Sequence, residues 1–400
     1  LHKEYRRQRQ MCIRDSDNAA TSRTKPEVVY DAFNHYIRDI AVSPGRGSYS
    51  LGITASRMLY QSRKAVSDFF GSLSPENVVF TKNSTEAINL YLNGCLEKGD
   101  HVLISCYEHN AVLRPIHSLK QAGIIDYTIL PEYTLYDDDC DLKKFVKPNT
   151  KLAAITLASN LTGQIVFSSA LAEKFKALGL TVFVDASQGA GKKLIDMRRD
   201  CIDVLAFTGH KDLLGLPGVG GLCSVNDLRI TPLIQGGTGI YGDSYVNPEA
   251  FPEAYEAGTL NMPAIWALKN AIEYINKHIS EMNKTESGLT QYLVKSMTAL
   301  PNVIVYNADK PRVSTLAFNV KGKSSSDVVA LLDKNGICVR GGIHCAILAH
   351  ETLGTVKSGA VRVSMNSYNT KDEIDAFIKV IGGINSVSYT HLRAHETLMN

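Results

Sequence analysis

The chain has 400 residues, a net charge of +3 and 44% hydrophobic residues, a length too great for one typical core and suited to one large and one small domain. Its basic residues are dispersed through the body, so neither nucleic acid nor an anionic membrane is expected as the main partner, and small metabolites or protein partners are. Eight cysteines without a CxxC pair or a short framework spacing read as mostly reduced, the state of a cytoplasmic protein.

No apolar run reaches the length of a membrane span, and residues 1–10 are basic without an apolar signal core behind them. Residues 1–16 are polar and lack helical periodicity, and residues 386–400 follow a completed helix, so both ends are read as tails foreign to the fold. Residues 17–44 make an N-terminal segment, of which Glu27 to Ile40 is expected to pack with the C-terminal domain. The stretch Pro44-Gly45-Arg46-Gly47 is expected as a loop at the mouth of the interdomain cleft, where Arg46 would reach substrate.

Residues 45–262 carry the main pattern. The runs Val78-Val79-Phe80, Val102-Leu103-Ile104, Ala153-Ala154-Ile155, Val182-Phe183-Val184 and Val204-Leu205-Ala206 alternate with helix-like segments. That alternation predicts α/β architecture with a mostly parallel sheet between helices. From Pro263 a long amphipathic helix, with Ile265, Leu268, Ile272, Ile275, Ile279 and Met282 at helical spacing, leads into a small α+β domain over 263–385. Its strand candidates are Thr315–Phe318 and Val361–Ser364, with helices near Ser326–Lys334 and Lys371–Ile381.

In open α/β sheets, ligands gather at the carboxyl ends of the strands. The residues found there are Ser84 and Thr85, His109, Asn160, Asp185 and Lys211, each just past one apolar run. Lys211, in Thr208-Gly209-His210-Lys211, closes a buried strand and precedes a glycine-rich turn. Desolvation lowers a lysine's pKa and makes it a Schiff-base former. Asp185 is placed to pair with a protonated pyridine nitrogen, and these are the two protein contacts that pyridoxal 5'-phosphate (PLP) chemistry needs most. Asn83-Ser84-Thr85 reads as a turn into a helix whose terminus and hydroxyls suit a phosphate, a plain helix cap being the competing reading. His109 can stack on a planar cofactor and move protons, or merely cap the following helix. Asn160 and Gln188 can donate to a phenolate oxygen or belong to ordinary turns.

Cys345 sits in the loop Val339-Arg340-Gly341-Gly342-Ile343-His344-Cys345-Ala346, where a solvent-reachable thiolate near Arg340 can act as nucleophile. Cys95, Cys106, Cys201, Cys223 and Cys338 read as inert packing. His344, Cys345 and His350 do not make a metal site, because no carboxylate or second thiol completes a ligand set. Arg362, on a short alternating strand, can clamp a substrate carboxylate bidentately.

Together these motifs resemble the class V branch of fold-type I PLP enzymes, the cysteine desulfurase and selenocysteine lyase group, over about Asp17 to Ile384. Asp17-Asn18-Ala19-Ala20-Thr21-Ser22 is similar to that family's opening motif. The resemblance implies a seven-stranded sheet and Lys211 as the cofactor-bound lysine. It makes Asp185 the pyridinium partner and His109 the ring-stacking base, with Asn160 and Gln188 at the ring oxygen. Ser84, Thr85, Thr208 and His210 would bind the phosphate. Thr259, in Glu256-Ala257-Gly258-Thr259, matches a residue lent to the neighbouring subunit, which implies a homodimer. Cys345 would accept sulfur from L-cysteine as a persulfide, releasing L-alanine, and pass it to an acceptor protein. Departures at Thr208, Tyr49 and Ile347 leave the choice among cysteine, selenocysteine and cysteine sulfinate open. The competing functions are a class V aminotransferase that ignores Cys345 and a non-catalytic sulfur-transfer scaffold.

Overall fold

The computed structural model describes residues 14–384 apart from Arg46, Asp138 and Tyr241. It opens on β1 (Arg14–Asp15), which runs parallel to Ile337–Cys338 of the small domain. Helix α1 (Glu27–His35) continues into a wider turn over Tyr36–Ile40, and α2 (Ser50–Phe70) stops at Gly71, whose left-handed φ of 68° closes the helix.

The large sheet contains β2 (Val78–Thr81), β3 (His101–Ser105), β4 (Asp126–Leu130), β5 (Thr150–Thr156), β6 (Thr181–Asp185), β7 (Val204–Thr208) and β8 (Gly220–Ser224), in the order β2-β8-β7-β6-β5-β3-β4. Only β8 runs against its neighbours. Alternation along the strands divides the apolar side chains between the faces. Val79, Val102 and Ile104 pack with Ile88 and Leu92 of α3 (Ser84–Cys95) and with Val112 and Ile116 of α4 (Asn110–Gln121). Val78, Phe80 and Leu103 face the opposite layer, where Phe175 of α5 (Ser169–Ala177) is buried.

Two strands have no counterpart among the five apolar runs. Edge strand β4 begins Asp126-Tyr127-Thr128 and is half exposed, so its hydrophobic signal is weak. The start of β8, Gly220-Gly221, reads as turn chemistry, yet both glycines are buried strand residues. A Cβ on Gly220 would stand 2.7 Å from the Asn83 carbonyl carbon and from the Phe207 oxygen. Glycine there lets β8 lie against the start of α3.

Helix α6 (Met262–Thr298) bridges the two cores: Ile265, Leu268, Ile272 and Ile275 join the large one, and Leu293 and Met297 join the small one. The small domain then adds β9 (Val303–Val305), β10 (Thr315–Val320), α7 (Ser325–Lys334), β11 (Ile337–Cys338), β12 (Arg340–Gly342), α8 (Ile347–Thr352), β13 (Ala360–Ser364) and α9 (Lys371–Gly382). Its antiparallel sheet has the order β12-β13-β10-β9.

Two expectations about the N-terminal part are corrected. Residues 14–16 are not a tail: the Ser16 N–H donates to Cys338 O at 3.0 Å, and Ser16 O accepts from Ser364 N–H at 2.7 Å. The rest of the expected tails, residues 1–13 and 386–400, lies outside the described residues. The segment 17–44 packs on both domains, because Val29, Tyr36 and Ile40 are buried in the large core beside the first half of α6. No helix among the described residues is long and apolar enough to cross a membrane.

Candidate active site

Nine of the residues expected at the site line one cavity at the carboxyl ends of the large sheet: Ser84, Thr85, His109, Asn160, Asp185, Gln188, Thr208, His210 and Lys211. Parallel strands deliver them because each apolar run ends in a polar residue at the same edge. Asn83, Thr156, Ala158 and Ser187 complete the lining. These went unassigned in the sequence, although Asn83 and Ser187 each stand one position from an assigned residue.

Lys211 is half-buried, and its amine has a pKa lowered by desolvation, an effect that the Asp185 carboxylate opposes. The turn that presents it is tied down by Gly209 N–H to Val219 O at 2.9 Å and by Gly215 N–H to Gly209 O at 2.8 Å. Asp185, 2% exposed, accepts from Ser187 N–H at 2.9 Å and from the Ser187 hydroxyl through Oδ1. His109 is both cap and cavity wall: its Nδ1 accepts from Ala111 N–H at 3.0 Å, which leaves the proton on Nε2. Burial pushes its pKa down to about 4, helped by the Lys211 charge and opposed by Asp185.

At the start of α3, Asn83 is the cap, accepting Glu86 N–H at 2.9 Å, so capping does not consume the Ser84 and Thr85 hydroxyls. Thr208 Oγ1, His210 Nδ1 and Asn160 Oδ1 are buried without a hydrogen-bond partner. Orphaned polar atoms converging on a cavity are costly unless a ligand satisfies them. Hydroxyls and a helix N-terminus at one end, with a carboxylate and a desolvated amine at the other, fit the phosphate, ring nitrogen and aldehyde of PLP. Two expected donors are already engaged: Gln188 Nε2 donates to Ala19 O at 2.8 Å and Asn160 Nδ2 to His344 O at 2.7 Å.

That last bond links the cavity wall to the loop carrying Cys345, which itself does not line the cavity. His344 and Cys345 are consecutive left-handed residues, with φ of 54° and 56°. Such strained backbone persists only when its surroundings hold it. Here Asn110 N–H donates to Cys345 O at 2.8 Å and His344 Nε2 to Ala360 O at 3.0 Å. The Cys345 thiol is exposed, whereas burial pushes Cys95 and Cys106 up to about 12. Arg362 is 1% exposed; its Nη1 donates to Asn160 O at 3.0 Å and its Nη2 to Asp17 Oδ1 at 2.6 Å. Asp17 was visible in the sequence only as part of a motif, without a role.

Thr259 is exposed and lines a separate cleft with Thr81, Lys82 and Leu233, outside its own chain's cavity. Arg46 lies outside the described residues. A residue without any assignment in the sequence is Glu108, fully buried beneath the cavity, whose Oε1 accepts from the Ser105 hydroxyl at 2.5 Å and from Thr156 N–H at 2.7 Å. Burial, with Asp185 adding to it, pushes its carboxyl up to about 8.

The family model described as aminotransferase class-V matches residues 16–377. A Methanothermobacter thermautotrophicus protein named "Probable cysteine desulfurase" is 33% identical over 366 residues, covering 89% of this chain and 91% of that protein. The apo structure of cysteine desulfurase from Thermococcus onnurineus superposes with a TM-score of 0.85 at 31% identity, covering 92% of this chain and 94% of the other. The cysteine desulfurase CsdA of Escherichia coli gives 0.83 at 27% identity, covering 93% and 94%. With a sheet, a lysine and a carboxylate arranged in this way, the chain belongs to the class-V aminotransferase family of PLP-dependent enzymes, in its cysteine desulfurase group.

Proposed function

We propose that this protein converts L-cysteine to L-alanine and takes the sulfur onto Cys345 as a persulfide. The observation that carries the reading is the bond from Asn160 to the His344 carbonyl, which ties a cavity holding a desolvated amine and a carboxylate to a clamped loop with an exposed thiol. In this reading Ser84, Thr85, Thr208 and His210 hold the PLP phosphate. Asp185 faces the ring nitrogen, His109 covers the ring and Lys211 meets the aldehyde carbon. When bound, PLP supplies an electrophilic carbon for amines and a ring that takes up electrons released at the substrate's Cα.

The chain's own groups do the rest. Desolvation lowers the Lys211 pKa and so favours the neutral amine, the form able to take a proton from Cα and return it. Arg362 binds the α-carboxylate. Cys345 Sγ, as thiolate, attacks the substrate sulfur: the substrate C–S bond breaks, an S–S bond forms, and the carbon takes up a proton to become the methyl group of alanine. The sulfur keeps its own hydrogen, so atoms and charge balance without an outside reductant until the persulfide is passed on to an acceptor protein. The exposure of Thr259 outside its own cavity supports a homodimer in which each copy lends this residue to the other.

The test is to assay alanine and sulfide from L-cysteine with the PLP-loaded protein and with Cys345→Ser. Equal yields with a thiol reductant present, both abolished by the substitution, bear out the reading. Activity indifferent to Cys345→Ser moves the assignment to a class V aminotransferase or another lyase.

A further inference from the structure

Arg362 does not wait empty. It is the largest fully buried side chain among the described residues, and a cation in that setting must be paired. Its Nη1 is spent on the Asn160 carbonyl, Nη2 is held by Asp17 Oδ1 at 2.6 Å, and Nε is buried without a partner. A carboxylate clamped bidentately needs two neighbouring N–H groups on the guanidinium. Along the edge formed by Nε and Nη2, Nε has no partner and Asp17 occupies the other half.

The position of Asp17 is built in. Its segment extends β1 alongside β13, the strand that carries Arg362, with Ser16 O accepting from Ser364 N–H at 2.7 Å and Ala19 N–H donating to Ser364 Oγ at 2.8 Å. The same segment reaches the cavity wall, where Ser22 N–H donates to His210 O at 3.0 Å and Ala19 O accepts from Gln188. The side chain of Asp17 is 25% exposed against 2% for Arg362. The carboxylate can therefore turn toward water while the guanidinium stays where it is.

We propose that Asp17 is the resting occupant of the carboxylate subsite, holding Arg362 between turnovers and giving way to the α-carboxylate of the amino-acid substrate. This rests on the reading of Arg362 as the substrate clamp. Asp17 is then a positioning residue that sets apparent affinity: every substrate must displace an internal carboxylate, which selects for ligands with a full α-carboxylate and keeps the buried cation compensated when none is bound.

The experiment is steady-state kinetics of the PLP-loaded enzyme with L-cysteine for wild type, Asp17→Asn and Arg362→Gln. Asp17→Asn is expected to lower KM about tenfold, the loss of one charge-assisted competitor, with kcat within about twofold of wild type. An unchanged or raised KM overturns the proposal. If Arg362→Gln leaves KM unaltered, the clamp reading itself fails, which separates the two failures. Should Asp17→Asn not fold, a crystal structure of the wild-type enzyme with L-alanine decides. An Asp17–Arg362 separation opened beyond about 4 Å, the reach of an ion pair, supports displacement, and an intact pair beside a bound carboxylate refutes it.

Discussion

Replacing Glu108 with glutamine isolates the electrostatics beneath the cavity. Glu108 is fully buried, and its carboxyl is raised from an ordinary 4.5 to about 8, first by loss of water and further by the nearby Asp185 charge. A group whose folded pKa lies above its unfolded value contributes stability that is fully present below about 4.5 and lost as pH rises toward about 8. At about 1.4 kcal/mol per pH unit, the wild type gives up about 3 kcal/mol by pH 7 and about 4 kcal/mol by pH 8. Glutamine keeps the acceptor that Ser105 and Thr156 use and never ionises. Urea denaturation of both proteins between pH 5 and pH 8 should therefore give nearly equal stabilities at the acid end. The advantage of Glu108→Gln should then grow by several kcal/mol toward the alkaline end. A difference that does not change with pH, or a variant that weakens as pH rises, would refute the reasoning. The functional corollary is that a neutral Glu108 leaves Asp185 as the single negative charge of this pair.

Histidines act in the opposite pH direction. Burial holds His109 and His210 down to about 4 and His344 down to about 3. Their contribution is present above the unfolded value of about 6.5 and is lost as pH falls through 4, by up to about 3 kcal/mol for His109. His109→Asn, which can still cap α4, should flatten the decline in denaturation midpoint between pH 7 and pH 4.5. A third prediction concerns the buried pair of Arg63 and Glu256, in which Nη1 meets Oε1 at 2.8 Å, Nη2 meets Oε2 at 2.5 Å and Phe80 N–H donates to Oε1 at 2.6 Å. Glu256→Gln leaves the guanidinium uncompensated and should cost about 3–5 kcal/mol, read as a drop in melting temperature. Retention of wild-type stability would mean that water reaches the pair.

Much of the large domain was legible because local signals agree with the fold. An apolar run followed by a polar residue and a helix start says that a strand ends there, and parallel packing then gathers those ends at one edge. Lys211, Asp185 and His109 could be expected at one cavity for that reason. Strands β4 and β8 escaped because an exposed edge and a Gly-Gly pair carry little periodicity. The N-terminal segment was placed on the wrong core in part, since Val29, Tyr36 and Ile40 show only that one face is apolar and not which helix covers it.

The sequence by itself therefore determined the alternating architecture and the chemical types at the strand ends, because these depend on near neighbours in the chain. Tertiary structure alone decided which of those groups lose water and which are paired. Asp17 lies 345 positions from Arg362, and Asn160 lies 184 from His344. A carboxylate becomes a placeholder, a glutamic acid stays protonated and a cysteine is held in a strained turn only when distant segments close around them. The free energies involved come from desolvation and geometry that no local pattern encodes.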